Sequence, residues 1–262
     1  MDERPFDRAD SDESDLQASL AGLSGLVNGS FPLPTLLGKV ATFAVEAVPR
    51  ADGAGVTLLR VEGDRRSVEA LAASADFVSV IDDLQYVTLD EGPCITAALE
   101  RRPVRSGSLG GEPLWPRFGP RVGRMGVHSV LSLPLLLPDQ VVGAIDVYAH
   151  DKDAFDERAE HLGTRFATPA AVAVHNAQVL ARAQEVAERL RSVLATRPVV
   201  DQAIGLLRGR SGLSEMEAVE RLRSMSQHDN VKLVDVARKL VEEAARRARA
   251  RREAPPPQHP GE

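Results

Sequence analysis

The chain is 262 residues long, carries a net charge of −6, and is 43% hydrophobic and 27% charged, a composition that suits one large or two modest folded domains. Its single cysteine excludes an intrachain disulfide and a cysteine-based zinc site, and no run approaches the roughly 18 apolar residues of a membrane-spanning helix. The acidic start MDERPFDRADSDESD has no signal-peptide core, so the expected location is the cytoplasm.

Taken in chain order, residues 1–15 are polar and acidic and are expected to be disordered. LQASLAGLSGLV and LPTLLGKVATFAVEAV read as amphipathic helices, the second with Leu36, Leu37, Val40, Phe43, Ala44 and Ala47 at helical spacing. Ala54–Val61 is apolar and β-branched, and Ser67–Ala73 is its expected partner across a turn at Glu62–Arg66. Val87–Leu89 reads as a short strand and Ile95–Glu100 as a brief helix. Ser129–Leu137 and Val141–Ala149 are the strongest strand pair, joined at Pro138-Asp139-Gln140, and Pro134 predicts a sheet edge or a bulge. Helix, antiparallel strands and helix again make an α+β plan around one central sheet.

From Phe155 the pattern is helical. Leu180, Ala183, Ala187, Leu190 and Leu194 alternate spacings of three and four, the a/d seam of a parallel dimeric stalk, with one long helix packed on its own domain as the alternative. After Pro198 three helices follow. The first runs over Val199–Arg210 and stops at Ser211-Gly212. The second opens on Ser214-Glu215-Met216-Glu217, a capping box, and the third has Leu233, Val236, Ala237, Leu240 and Val241 on one face. The tail EAPPPQHPGE is proline-rich and expected to be unfolded. Charge is unevenly placed: Ala195–Glu253 holds 13 Arg and Lys against 9 Asp and Glu, whereas the first 194 residues hold 19 against 28. An acidic front and a basic back point the back at a polyanion.

The stretch RPVVDQAIGLLRGRSGLSEMEAVERLRSMSQHDNVKLVDVARKLVEE resembles an ANTAR domain, on QAIGLL, the small-residue turn, EAVERLR, SQHDN and KLVDVARKLV. The stretch from about Leu33 to Ala177 resembles a GAF domain, on ADGAGVTLL, LDEGPC, the strands of Ser129–Ala149 and AFDERAEHLGTRFATPAAVAVHNA. The pairing resembles actinobacterial GAF–ANTAR regulators of transcription antitermination. What the resemblance implies is a GAF-like α+β sensory domain at 16–177, a coiled-coil linker at 178–195 and an all-α three-helix RNA-binding domain at 196–253, with 254–262 unfolded. It also implies RNA hairpins as partner, often paired hairpins matched to a protein homodimer, and a pocket open to an unidentified small molecule.

The residues support an RNA reading on their own chemistry. Gln202, Arg208, Arg221, Arg223, Ser226, Asn230, Lys232 and Arg238 lie in or beside the three helices. Cations attract phosphates, and arginine and the amide side chains can engage bases in an opened loop. The unit has almost no aromatic residues, so stacking would rest on arginine or aliphatic surfaces rather than on aromatic platforms. A solvated helical face is the plainer alternative for any one of these residues. RRARAR (Arg246 to Arg251) fits an electrostatic arm or a solvated helix end equally well.

In the front half the sensor-pocket candidates are Cys94, at a helix start where a thiol can be activated though a lone cysteine is more often an apolar filler, and Trp115, in a Gly/Pro-rich loop. The four histidines His128, His150, His161 and His175 have no ligand spacing, so no metal and no cofactor are expected. Asp151-Lys152 and Phe155-Asp156-Glu157 read as a helix start rather than a cyclic-nucleotide motif. With no Walker loop, GxGxxG or GxSxG, no catalytic residue and no enzyme activity are expected. A DNA-binding regulator, for which SQHDN is a long link in a helix-turn-helix, and a protein-interaction adaptor remain the alternatives.

Overall fold

The computed structural model describes residues 5–27, 31–62 and 65–253, and the proline-rich tail expected to be unfolded lies outside them. The chain divides into two compact units, Met1–Arg182 and Ala183–Glu262.

The first unit is built on a five-stranded sheet in the order β2-β1-β5-β4-β3. The strands are β1 (Gly53–Glu62), β2 (Arg65–Ala73), β3 (Val104–Ser106), β4 (Ser129–Leu136) and β5 (Val141–Ala149). Every pairing is antiparallel, as the α+β plan requires. Side chains alternate between faces, and the register fixes which residues share one. Ala54, Val56 and Leu58 of β1 pair across to Val147, Ile145 and Gly143 of β5. With Leu131, Leu133 and Leu135 they form an apolar face packed on helices α1 (Pro5–Val27), α2 (Leu33–Ala47) and the N-terminal part of α6 (Glu157–Ser211). The opposite face carries Val130, Ser132, Ala144, Asp146 and Tyr148. It is covered by α3 (Asp76–Asp82), α4 (Pro93–Glu100) and α5 (Phe118–Arg124). Because β4 and β5 are covered on both sides, they read as near-continuous apolar runs. Pro134 falls beyond the three residues β3 covers, and the β4–β5 register slips between Leu135 and Leu136, so it meets an open edge beside a bulge.

Three sequence expectations are corrected here. Residues 5–15 are helical, not disordered. The α1 helix lays Leu16, Ser19, Leu23 and Leu26 inward, and its acids find cations on α6: Asp12 with Arg158 at 2.9 Å and Glu13 with Arg165 at 2.7 Å. Tertiary burial supplies what the acidic composition lacks. Val87–Leu89 is not a strand, because α3 runs on as a π-helical stretch over Asp83–Leu89. The first helix of the C-terminal trio is not separate either, since α6 continues through Pro198 to Ser211.

The second unit holds the end of α6, α7 (Glu215–Asp229) and α8 (Leu233–Glu253). Its buried centre is Ala203, Leu222, Val236 and Ala237, bordered by Val199, Leu207, Met225, Leu240 and Val241. The expected capping box is present: the Glu217 amide donates to the Ser214 hydroxyl at 3.3 Å, and the Ser214 amide donates to the Glu217 carboxylate at 2.8 Å. These partners satisfy two amides that the first turn leaves over. Ser214→Ala is expected to cost about 1 kcal/mol, seen as a lower urea midpoint for the helical unit with an unchanged m-value. An unchanged midpoint would mean that water satisfies the same amides as well.

Of the stalk seam, Leu180 and Leu190 are 50% and 60% exposed, and Val179 and Val186 beside them are 49% and 56% exposed. The side chain of Leu194 lies outside the described ones. No helix among the described residues is long and apolar enough to cross a membrane.

Candidate functional site

Two sites follow from this layout, one in each unit. In the first unit the strand register places Gly55, Asp146 and Ser132 side by side on the face beneath α3 and α4. Asp146 is 2% exposed and fully engaged. The Ser132 hydroxyl donates to one carboxylate oxygen. The Gln85 amide at 3.1 Å and the Tyr148 hydroxyl at 3.3 Å donate to the other. Gln85 comes from the π-helical stretch, a backbone form concentrated at functional positions, and its own carbonyl accepts the Cys94 amide at the start of α4 at 3.2 Å. A Cβ on Gly92 would stand 2.1 Å from that carbonyl oxygen, so the glycine of LDEGPC makes room for the bridge.

Asp82, the last residue of α3, lies over Gly55, where a Cβ would sit 3.1 Å from its carboxylate. It is 1% exposed. Among the described residues, the Asp82 oxygens and the Tyr86 hydroxyl are buried side-chain atoms with no hydrogen-bond partner. Burial, with the neighbouring Asp146 and Asp83 carboxylates, pushes Asp82 up to about 8 from an ordinary 3.8. Burial also lifts Asp146, to about 6, against the pull of Ser132, Gln85 and Tyr148. At neutral pH one carboxyl is therefore held protonated beside one that is ionised. No sequence motif announced this pair, although a lone aspartate inside the apolar run VVGAIDVYA is a signal that a buried polar contact must exist.

The two sensor-pocket candidates border the same region. Cys94 is fully buried, and burial pushes its thiol well up, which favours the filler role over a reactive one. Trp115 is 2% exposed, and its indole N–H donates to the Thr96 hydroxyl of α4 at 2.9 Å. Glu91 of LDEGPC, which has no motif of its own in the sequence, accepts the Arg117 and Phe118 amides at 2.7 and 2.9 Å and so fixes the start of α5. No group of three or more metal-ligating side chains occurs among the described residues.

In the second unit Gln202, Arg208, Arg221, Arg223, Asn230, Lys232 and Arg238 are all exposed. Three of the arginines have acid neighbours. Arg223 meets Glu220 and Arg238 meets Asp235, both at 2.8 Å, while Arg208 stands 3.9 Å from Glu215. Each of these arginine side chains is more than half exposed, and exposed pairs are worth well under about 1 kcal/mol, so a phosphate can displace the acid. Arg221 and Lys232 have no acidic partner among the described residues.

The structure does not gather all eight predicted residues on one surface. Arg221 and Arg223 flank buried Leu222 on opposite sides of α7, roughly 200° apart at about 100° per residue. The spacing puts Arg223 with Met216, Gln227 and Asn230 on one strip, and Met216 is 76% exposed. Ser226 leaves the predicted set as a donor: its hydroxyl donates to the Val231 carbonyl at 2.6 Å. Asn230 is left-handed at φ 50° and caps α7, a conformation asparagine tolerates. Four residues of SQHDN are thus the last turn of α7, and only Asn230, with Val231 and Lys232 after it, links α7 to α8.

Comparison with known proteins bears on both units. Residues 32–175 match the family model described as GAF domain, and residues 188–241 match the one described as ANTAR domain. A curated relative, the anaerobic nitric oxide reductase transcription regulator NorR of Vibrio vulnificus (strain YJ016), is 33% identical over 94 residues, which are 36% of this chain and 18% of the relative's length. Among solved structures, the GAF domain of a phosphoenolpyruvate-protein phosphotransferase from Coxiella burnetii is 17% identical with a TM-score of 0.49, over 63% of this chain and 96% of that one. A type II free methionine-R-sulfoxide reductase from Thermoplasma acidophilum is 21% identical with a TM-score of 0.41, over 55% of this chain and 93% of that one.

Proposed function

Since the chain belongs to the GAF domain family and carries an ANTAR domain near its C-terminus, we propose that this regulator binds RNA hairpins through its three-helix unit and so shifts the choice between transcription termination and antitermination. The observation that carries the reading is the strip on α7. Arg223 supplies a charge for phosphate and a flat guanidinium for stacking. Gln227 and Asn230 add donors and acceptors, and Met216 offers an apolar surface to a splayed base. Lys232 extends the charge into the next turn.

The seam Leu180, Ala183, Ala187 and Leu190, whose two leucines are exposed, takes a second copy of the same helix at the a/d spacing of a parallel stalk, with Val179 and Val186 bordering it. Two heads then raise each other's effective concentration on paired hairpins. The first unit acts as the sensor and performs no catalysis. Its input is an unidentified small molecule.

The test is filter binding of the full chain to a library of short RNA hairpins across a salt series, with sedimentation reading two chains per complex. Arg223→Ala and Lys232→Ala are each expected to weaken binding several-fold and to reduce the salt slope by about 0.7–0.9 for each phosphate no longer neutralised. Arg221→Ala, on the far flank of α7, is expected to weaken binding less. Preference for duplex DNA over hairpins, or no hairpin affinity at low salt, would overturn the reading.

A further inference from the structure

A second concave site lies in the first unit, apart from the buried carboxylates. A cleft of about 640 Å³ opens where the C-terminal end of α4 meets the β4–β5 turn and the α6 segment from His175 to Arg182. Its volume falls within the roughly 300–1,000 Å³ of small-molecule sites. The floor is apolar: Leu59, Ala98 and Val142 are at most 7% exposed. Leu99 stands at the rim 57% exposed, an apolar side chain left in water beside a guanidinium.

The polar groups decide what the cleft can hold. Glu69 is already engaged, by the Gln178 amide and by Arg182 at 2.7 Å, so one cation and one anion of the lining cancel. Gln140 and His175 approach each other at 3.4 Å. Arg101 has no acidic partner among the described residues, its guanidinium reaching only the Leu137 carbonyl at 3.5 Å. It leaves α4 in the left-handed conformation at φ 54°, which turns the chain at the cleft's edge. Asp139 lines the opposite rim. With Glu69 and Asp139 both present, a multiply charged phosphate meets repulsion for every attraction. A single carboxylate can take the open guanidinium fork in a bidentate pair and leave its apolar body on Leu99 and the floor.

We infer that this cleft binds a small organic monocarboxylate with an apolar body. The inference stands independently of the RNA reading, because its readout is ligand binding alone. Its wall includes α6 up to Arg182, the last residue of the first unit, so an occupant touches the helix that leads out of the sensor.

The experiment is calorimetric titration of the full chain with sodium octanoate and with benzoate, and with ATP as the multiply charged comparison. Saturable binding of at least one carboxylate, and none of ATP, is expected. Arg101→Asn keeps a residue that accepts the left-handed conformation, and it is expected to weaken the carboxylate at least tenfold. Leu99→Gln is expected to weaken octanoate several-fold. Circular dichroism melts show whether each variant folds; if Arg101→Asn does not, Leu99→Gln carries the decision. Absence of saturable binding by either acid, unchanged affinity in the folded variants, or tighter binding of ATP would overturn the assignment.

Discussion

Replacing Asp82 by asparagine is expected to stabilise the first unit, and the gain should grow as pH rises. The folded state holds this carboxyl at about 8 against an ordinary 3.8. Between those values the folded chain therefore binds a proton that the unfolded chain does not, and stability falls with rising pH. The favourable contribution is complete below about pH 4 and is lost as pH climbs through 8. Each unit on the way is worth about 1.4 kcal/mol. Asparagine has nearly the same shape and titrates nowhere. Denaturant midpoints at pH 5, 6.5 and 8 should show the variant pulling ahead of the parent, the gap widening by on the order of 3 kcal/mol between pH 5 and 7.5. A gap that stays constant with pH would mean that Asp82 is not buried unpartnered.

The second large effect lies at Leu222. Among the described residues the helical unit buries five apolar side chains, Ala203, Ala218, Leu222, Val236 and Ala237, and Leu222, 1% exposed, is the largest. Truncating a buried leucine to alanine costs about 2–5 kcal/mol. A small three-helix unit has a total stability of that same order. Leu222→Ala is therefore expected to unfold the second unit at 37 °C while the first keeps its own melting transition. Hairpin binding should vanish even though every cation remains. Calorimetry that still shows two transitions near the parental temperatures would contradict a core this small.

Much of the architecture was legible because periodicity follows burial. The strands Ser129–Leu137 and Val141–Ala149, the helical face of α2 and the Ser214 capping box all stand where apolar spacing and cap chemistry put them. Apart from Pro198, the failures share a cause, since each depends on partners distant in the chain. The acidic start reads as disordered until Arg158 and Arg165 are brought opposite Asp12 and Glu13. DLQYVTL has the β-branched and aromatic composition of a strand, yet it winds into a π-helical turn because Gln85 must reach both Asp146 and the Cys94 amide. Pro198 looks like a boundary, but helix on either side carries the chain through it. The RNA candidates were found by residue type alone. Type cannot tell that Arg221 and Arg223 point to opposite flanks, or that Ser226 is committed to its own turn. The carboxylate pair was missed because Asp82 and Asp146 are 64 residues apart and only the strand register brings them together.

The short helix α4 has a consequence that neither of its ends shows alone. Its first turn is tethered through Gln85 to Asp146, and its last turn forms a wall of the open cleft. Eight helical residues make a stiff rod about 12 Å long. A push on one end is delivered to the other with little loss, so α4 can act as a piston. An occupant of the cleft therefore presses on the same helix whose first turn Gln85 ties to Asp146.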